Sequence, residues 1–346
     1  MIRKIIIRIF LLLALILGAN LLILQQLDRS FYWGSSALAE KWNDLLQNHQ
    51  NCNTLFIGTS KTHRGVMPSL FDSLALGGGV VRSYNLGVPS MAAVETYHLI
   101  NHLLDEDNIS LKWIFVELNG VQYGPGLYRI PRGKYFMDFN HYKFALQSIP
   151  QTHLDWKGKL HVLRQYSVNY AERLTLYGLL REYRRNVTDF DTTRLAPYRY
   201  HDKGFLSYEM ELAHSSPENR ERLIKKHQSF LLDTTAIRKK LAFAPAPIAL
   251  KANNAHLKKI KELQIKASKK GITLIFYSMP SAKMFNTHLE VQSLINHLKD
   301  KNGIELGNGA LYPDFFQTEN LYNVEHLNER GARLFTTVLA TEFNKK

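Results

Sequence analysis

The chain predicts an α/β fold on a parallel sheet, and three observations carry that expectation. Short unbroken apolar runs recur in "NTLFIGTS", "LKWIFVELNG" and "ITLIFYSMP", the pattern of strands buried on both faces. Each run stops at a glycine, an Asn-Gly or a proline. Segments of helical period lie between the runs, and strands alternating with helices imply parallel pairing.

The elements follow in chain order. "MIRKIIIRIFLLLALILGANLLILQQLDRS" sets Arg3, Lys4 and Arg8 ahead of an almost uncharged stretch from Ile9 to Leu24. From Ile5 onward about 20 residues are interrupted only by Arg8, the length that crosses a hydrocarbon core, and Arg8 can snorkel to the headgroups. A cleaved signal peptide is the competing reading, but the apolar part is long for one and "LILGANLL" is a poor small-residue cleavage site. The expectation is a retained anchor over 1–28 in the inner (cytoplasmic) membrane, single-pass, with the basic N-terminus cytoplasmic and the remainder extracytoplasmic.

"SSALAEKWNDLLQNH" has apolar residues at helical spacing and leads into the first strand, "NTLFIGTS". "VVRSYNLGVPS" reads as a second strand ending in a Gly/Pro turn, "AAVETYHLINHLLDE" as an amphipathic helix, and "LKWIFVELNG" as a third strand. Together they make a first half of the domain over 29–120. From 121 to 245 the rhythm breaks. This stretch is rich in Tyr, Arg and His, holds 21 Lys plus Arg against 12 Asp plus Glu over 121–240, and predicts a largely helical, basic insertion or cap. "LHVLRQYSVNYAERLTLYGLLREYRR" is its clearest helix, and "APAP" at 244–247 reads as a linker back to the core. The second half, 246–346, opens on the helix "NNAHLKKIKELQIKASKKG", closed by Gly271, and the strand "ITLIFYSMP".

Composition narrows the function classes. The net charge of +14 is spread through a chain that reads as exported, which argues against nucleic acid. Anionic headgroups, an acidic polysaccharide or plain solvation remain for the basic surface. One cysteine, Cys52, excludes an intrachain disulfide framework and reads as a small buried apolar residue. No His-Glu-x-x-His, paired-Cys or phosphate-loop pattern is present, so no metal and no cofactor is expected.

Reactive groups in open α/β sheets collect at the carboxyl ends of strands. Ser60 sits at such an end, as do Gly87 and Asn119. A serine there needs a base for its proton and donors for a developing oxyanion. His326, just ahead of the apolar-faced helix "LNERGARLFTTVLATEF", supplies the imidazole from a loop or first turn. Each residue also has a structural reading: Ser60 as a helix cap, Gly87 as a turn glycine, Asn119 with Gly120 as a common turn dipeptide. His63 and Arg64 fall on the first helical turn after Ser60, facing either substrate or solvent. Arg64 is suited to a forked contact with an anionic group. "KGFLSYE" at 203–209 is either a sugar-stacking wall or packed core.

In these features the chain resembles the SGNH, or GDSL-like, hydrolase and acyltransferase superfamily. "GTS" at 58–60 matches the nucleophile block, "NLG" at 85–87 the glycine block, "ELNG" at 117–120 the asparagine block, and "NVEHLNERGA" at 323–332 the Asp-x-x-His block. The likeness covers about 54–120 and 253–343. With the anchor, it is nearest to membrane-anchored envelope proteins of the alginate O-acetyltransferase kind and of teichoic acid D-alanylation. The resemblance implies a three-layer, flavodoxin-like domain without a cofactor. It implies transfer or hydrolysis of an acyl group, often acetyl, on an envelope or exported polysaccharide, with a multi-span membrane acyltransferase as partner. Ser60 would be nucleophile, His326 base, and the Ser60 amide, Gly87 and Asn119 the oxyanion donors, with Thr59, His63 and Arg64 near substrate. Asn323 stands where the superfamily has its triad aspartate. An amide can fix the imidazole tautomer but cannot balance its charge, so Glu325 or Asp314 is a candidate substitute acid. A Ser-His dyad and a non-catalytic glycan-binding or assembly subunit are the alternatives. A lipid esterase is a further one, and it would require an apolar acyl channel.

Overall fold

Alternation along three strands decides how the sheet is covered, because successive side chains point to opposite faces. The computed structural model describes residues 2–27, 36–106, 110–121, 131–175, 201–235, 237–238, 252–282, 285–298 and 302–346. Helices α1 (Ile2–Leu27) and α2 (Ser36–Asn48) precede strand β1 (Thr54–Ile57). Then come α3 (Ser60–Gly65), α4 (Pro68–Leu74), β2 (Ser83–Asn85), α5 (Ala93–Asp105) and β3 (Trp113–Glu117). Next are α6 (Pro131–Tyr135), α7 (Phe139–Ser148), α8 (Trp156–Leu174), α9 (Tyr208–His214) and α10 (Pro217–Leu232). The last part holds α11 (Asn254–Ser268), β4 (Thr273–Tyr277), α12 (Phe285–Leu298), β5 (Gly303–Ile304), β6 (Leu321–Asn323), β7 (His326–Leu327) and α13 (Glu329–Asn344).

The main sheet is parallel, in the order β2-β1-β3-β4-β5. Register places Thr54 beside Ser83 and Trp113, and Trp113 beside Thr273. Leu55, Ile57, Ile114, Val116, Leu274 and Phe276 belong to one core with side chains of α2, α5, α7, α8, α11 and α12. Phe56, Phe115, Ile275 and Tyr277 point the other way, onto α4 and α13. Helix α13 buries Ala332, Phe335, Leu339 and Phe343 on one stripe, and Phe343 meets Phe115 edge-on at 5.2 Å. Full burial of such a side chain stabilises by about 1.5–3 kcal/mol. Cys52 is buried, as expected, and burial pushes its thiol up to about 12.

Ile2–Ile23 within α1 is long and apolar enough to cross a membrane. Residue 28, the expected end of the anchor, lies outside the described residues, as do 244–247 and the last part of the helix expected over 160–185. The second strand is shorter than its apolar run implied, three residues, and β5 is an edge pair of two. The described part of 121–245 is largely helical, with an Asp202–Phe205 bridge, and its side chains join the cores on both faces of the sheet. Phe136, Phe144, Val162 and Tyr166 join the first core, while Phe230 joins the second. Lys203 O accepts the Asn85 amide at 2.8 Å, tying this stretch to strand β2.

Candidate active site

Strand β1 ends at Ile57, and the chain turns through Gly58 into α3. A β-carbon on Gly58 would stand 2.2 Å from Thr62 Oγ1 and 2.4 Å from Glu117 Oε2, so the turn admits only glycine there. Thr59 is the N-cap, its hydroxyl accepting the Lys61 amide at 3.1 Å. The cap role expected as the alternative for Ser60 therefore belongs to its neighbour. Ser60 is the first helical residue and half-buried, with an amide that no intrahelical carbonyl can reach.

Its hydroxyl meets the other end of the chain. Ser60 Oγ lies 2.7 Å from His326 Nε2. His326 opens β7, in a two-stranded antiparallel turn with β6, rather than lying on a loop or helical turn. In that turn Asn323 Oδ1 accepts the backbone amides of Glu325 at 2.8 Å and His326 at 3.1 Å, and also faces His326 Nδ1 at 3.1 Å. Two backbone donors identify this atom as the amide oxygen, so Nδ1 must carry the ring proton. Nε2 is then the lone-pair nitrogen, directed at the Ser60 hydroxyl. Serine, imidazole and orienting group thus form a chain from three residues, with Asn323 only 4% exposed.

The group that faces the Nδ1 nitrogen is Asn323 Oδ1. Asp314 is exposed, in a 3-10 turn at Pro313–Phe316, and the Glu325 backbone amide donates to Asn323 Oδ1. Asn323 is the orienting residue.

The expected oxyanion donors are mostly engaged elsewhere. The Gly87 amide donates to Asn85 Oδ1 at 2.8 Å, and glycine is required because a β-carbon would lie 2.5 Å from the His63 nitrogen. Asn119 is buried, and the orientation that satisfies its amide donates to Glu117 Oε1 at 3.1 Å and Leu118 O at 3.3 Å. The Thr59 amide donates to Glu117 Oε2 at 2.7 Å and its hydroxyl donates to Glu117 Oε1 at 2.9 Å, so both polar groups of Thr59 are engaged inside the protein. Of the three expected oxyanion donors, the Ser60 amide has the position for the role.

His63 and Arg64 are corrected as well. His63 is fully buried, its Nδ1 2.8 Å from Lys41 Nζ, which also donates to Asn85 O at 2.9 Å and Gly87 O at 2.6 Å. Burial, then the neighbouring Lys41 and Arg64 charges, hold its imidazole well below the usual histidine range, against a hydrogen bond with the Gly204 backbone. Burial likewise lowers Lys41. Arg64 pairs with Glu211 of α9 instead of turning to an open mouth. Gly204, Phe205, Leu206 and Tyr208 are buried, and Tyr208 stacks on Tyr322 at 3.9 Å, so "KGFLSYE" is packed core and not a sugar platform.

Four residues with no assigned role shape the site. Asn85 Nδ2 donates to Thr62 O and Val66 O, 2.8 Å each, and so ties the end of α3 to β2. Tyr277 OH lies 2.6 Å from Thr62 Oγ1. Lys41 and Glu117 complete the frame, and both carry a sequence signal. Lys41 falls between Leu38 and Leu45 on the apolar stripe of its helix, and Glu117 ends an apolar strand where a carboxylate needs partners.

No family model matches the chain, and no curated protein matches its sequence significantly.

Proposed function

We propose that this chain is a serine-dependent acyl transferase or esterase of the SGNH type, with a flavodoxin-like sheet, acting on a cell-envelope or exported polysaccharide from the outer face of the inner membrane. The single observation that supports it most is Ser60 Oγ at 2.7 Å from a His326 Nε2 whose tautomer is set by Asn323. The strand order β2-β1-β3-β4-β5 fits the same reading, because ligands of such sheets bind beyond the carboxyl ends of the strands, where Ser60 stands.

In the proposed reaction His326 Nε2 removes the Ser60 proton as Oγ attacks the acyl carbonyl carbon. The Ser60 amide donates to the oxyanion, and the imidazolium returns its proton to the departing alcohol oxygen. An acyl-serine ester remains. A glycan hydroxyl or water, deprotonated by the same Nε2, then takes the acyl group and restores serine. Acetyl is the acyl group and a multi-span membrane acyltransferase the donor partner in this reading.

Incubation of the full chain in detergent with p-nitrophenyl acetate tests it. The expected result is an acetyl adduct on the peptide containing Ser60, and nitrophenol release that is lost in Ser60→Ala. Absence of both adduct and turnover above the Ser60→Ala level would reject it.

A second reading, a glycan-binding or assembly subunit without turnover, is favoured by one observation: the Gly87, Asn119 and Thr59 donors are all engaged inside the protein. It predicts that polysaccharide binds equally to wild type and Ser60→Ala, with no acyl adduct on either.

A further inference from the structure

We propose that the outer face of the α7–α8 pair lies on the anionic phospholipid surface of the membrane that α1 enters, a second membrane contact that rests on reading α1 as a span. The two helices run side by side and antiparallel. Tyr142 of α7 stacks on Tyr170 of α8, ring centroids 4.4 Å apart and 9° from parallel, and its hydroxyl lies 2.9 Å from Ser167 Oγ. At the other end of the pair Lys159 Nζ donates to Pro150 O at 2.8 Å.

Their inner faces are committed, since Phe144, Ala145, Val162 and Tyr166 belong to the first core. What turns outward is apolar along the seam. On α7, Phe139 is 63% exposed and Leu146, seven residues on, shares its face. On α8, Leu160 is 55% exposed, and Trp156 at the start of the helix is 67% exposed. Exposed apolar side chains are ordinary when scattered, but a row of them along one helix pair marks a contact surface.

The flanks of the seam are basic. Exposed Lys143 stands between Phe139 and Leu146 in sequence, and Lys157 and Arg164 share the outer stripe of α8 with Leu160 and Val168. No acidic side chain falls on these described stripes. Lys157 Nζ also lies 5.7 Å from the centre of the Trp156 ring. Leu, Phe and Trp flanked by Lys and Arg is the pattern of helices seated in the headgroup layer, where basic side chains reach lipid phosphates over apolar stems.

The anchor identifies the occupant. Asn20 Nδ2 donates at 2.8 Å to the carbonyl of Leu174, the last residue of α8. Asn20 stands three residues before the end of the apolar stretch Ile2–Ile23, about 4.5 Å along the helix axis. The C-terminal end of α8 is thereby held at the level where the span leaves the hydrocarbon, and the exposed seam starts from that point. Laid flat, α8 carries the seam along the interface as far as Trp156. Two contacts in place of one then hold the domain at a fixed tilt above the bilayer.

The test uses the full chain in vesicles, with a nitrobenzoxadiazole label on Leu160→Cys and nitroxide lipids as quencher. Cys52 is buried and stays in place, and wild type supplies the labelling blank. Leu13→Cys reports the span, and exposed Thr337→Cys on α13, across the sheet, reports a surface away from lipid. A headgroup-level nitroxide should quench the Leu160 label about twofold in vesicles containing phosphatidylglycerol, and much less in pure phosphatidylcholine or when Lys157→Glu and Arg164→Glu are combined. The Thr337 label should be unaffected. Quenching at Leu13 (deep nitroxide) with none at Leu160 would overturn the proposal and leave the anchor standing. An unquenched Leu13 label would reject the anchor, and the second contact with it. Equal quenching at Leu160 in both lipids would overturn the anionic contact, and blue-shifted Leu160 emission without lipid quenching would assign the seam to a protein surface and overturn it as well.

Discussion

Glu117 Oε2 accepts the Thr59 amide at 2.7 Å, so a buried carboxylate at the end of β3 holds the backbone beside the reactive serine. The same group takes the Thr59 hydroxyl at 2.9 Å and the Thr62 hydroxyl at 2.7 Å, and pairs with Lys61 Nζ at 3.0 Å. It is an internal clamp on the turn that presents Ser60.

Glu117→Gln should therefore cost both stability and rate. The amide keeps one accepting oxygen and turns an NH2 toward donors, and hydrogen bonds to a charged group contribute about 1.5–3 kcal/mol each. The partly exposed Lys61 can turn to water, which moderates the loss. The expected fall in unfolding free energy is about 2–4 kcal/mol in a denaturant titration, with kcat for an acetyl ester falling further than KM rises, since Ser60 is displaced before substrate contacts are. A variant within about 0.5 kcal/mol of wild type would remove the clamp role.

What the sequence made legible was what depends on local pattern. Leu55–Ile57 and Ile114–Val116 are unbroken buried runs, and they became central strands. Gly303–Ile304 carries no such pattern, and neighbouring β4 alone makes it an edge strand. Ser60 and His326 could be proposed as partners because a strand-end serine and a helix-leading histidine are both visible in one dimension. The fate of the donors could not be read in the same way. Whether the Gly87 amide is open depends on the side chain of Asn85, and whether Arg64 is open depends on Glu211, 147 positions away. The apolar stripe of α2 marks Lys41 as an inward-facing lysine, but only the fold shows that it meets His63.

The amide at Asn323 makes its own prediction. Its Nδ2 is buried without a partner, while Oδ1 accepts two backbone amides and the imidazole. Asn323→Asp removes that unsatisfied donor and supplies a carboxylate to the same three N–H groups, so the fold should hold at neutral pH. The imidazolium formed during attack then gains a counter-charge. A rise of about one unit in imidazole pKa, 1.36 kcal/mol of preference for the charged ring, should increase kcat roughly three- to tenfold. Asn323→Ala loses tautomer selection and the turn together, and should lower kcat about 10²- to 10⁴-fold. A slower Asn323→Asp enzyme with intact structure would count against Asn323 as the ring's orienting partner.

The Lys41–His63 contact should be visible as a pH dependence of stability. Burial holds the His63 imidazole well below its ordinary value of 6.5, so the folded protein leaves it neutral where the unfolded chain begins to take a proton. Below that value the unfolded state binds the extra proton, and unfolding free energy must fall as pH falls. One such group contributes a slope of up to about 1.4 kcal/mol per pH unit. The stabilisation is full above 6.5 and declines until the folded form also protonates. His141 and His201 are lowered by burial too and add their own slopes, so the informative quantity is the difference made by His63→Gln. Glutamine still offers Lys41 an oxygen but does not titrate. Denaturant unfolding of the full chain in detergent at pH 7.5, 6.5 and 5.5 should show a shallower decline in His63→Gln than in wild type, by as much as about 1.4 kcal/mol per unit below 6.5. Equal slopes in the two proteins would mean that His63 takes up its proton in the folded state as readily as in the unfolded one, and that the lysine beneath the serine turn does not oppose it.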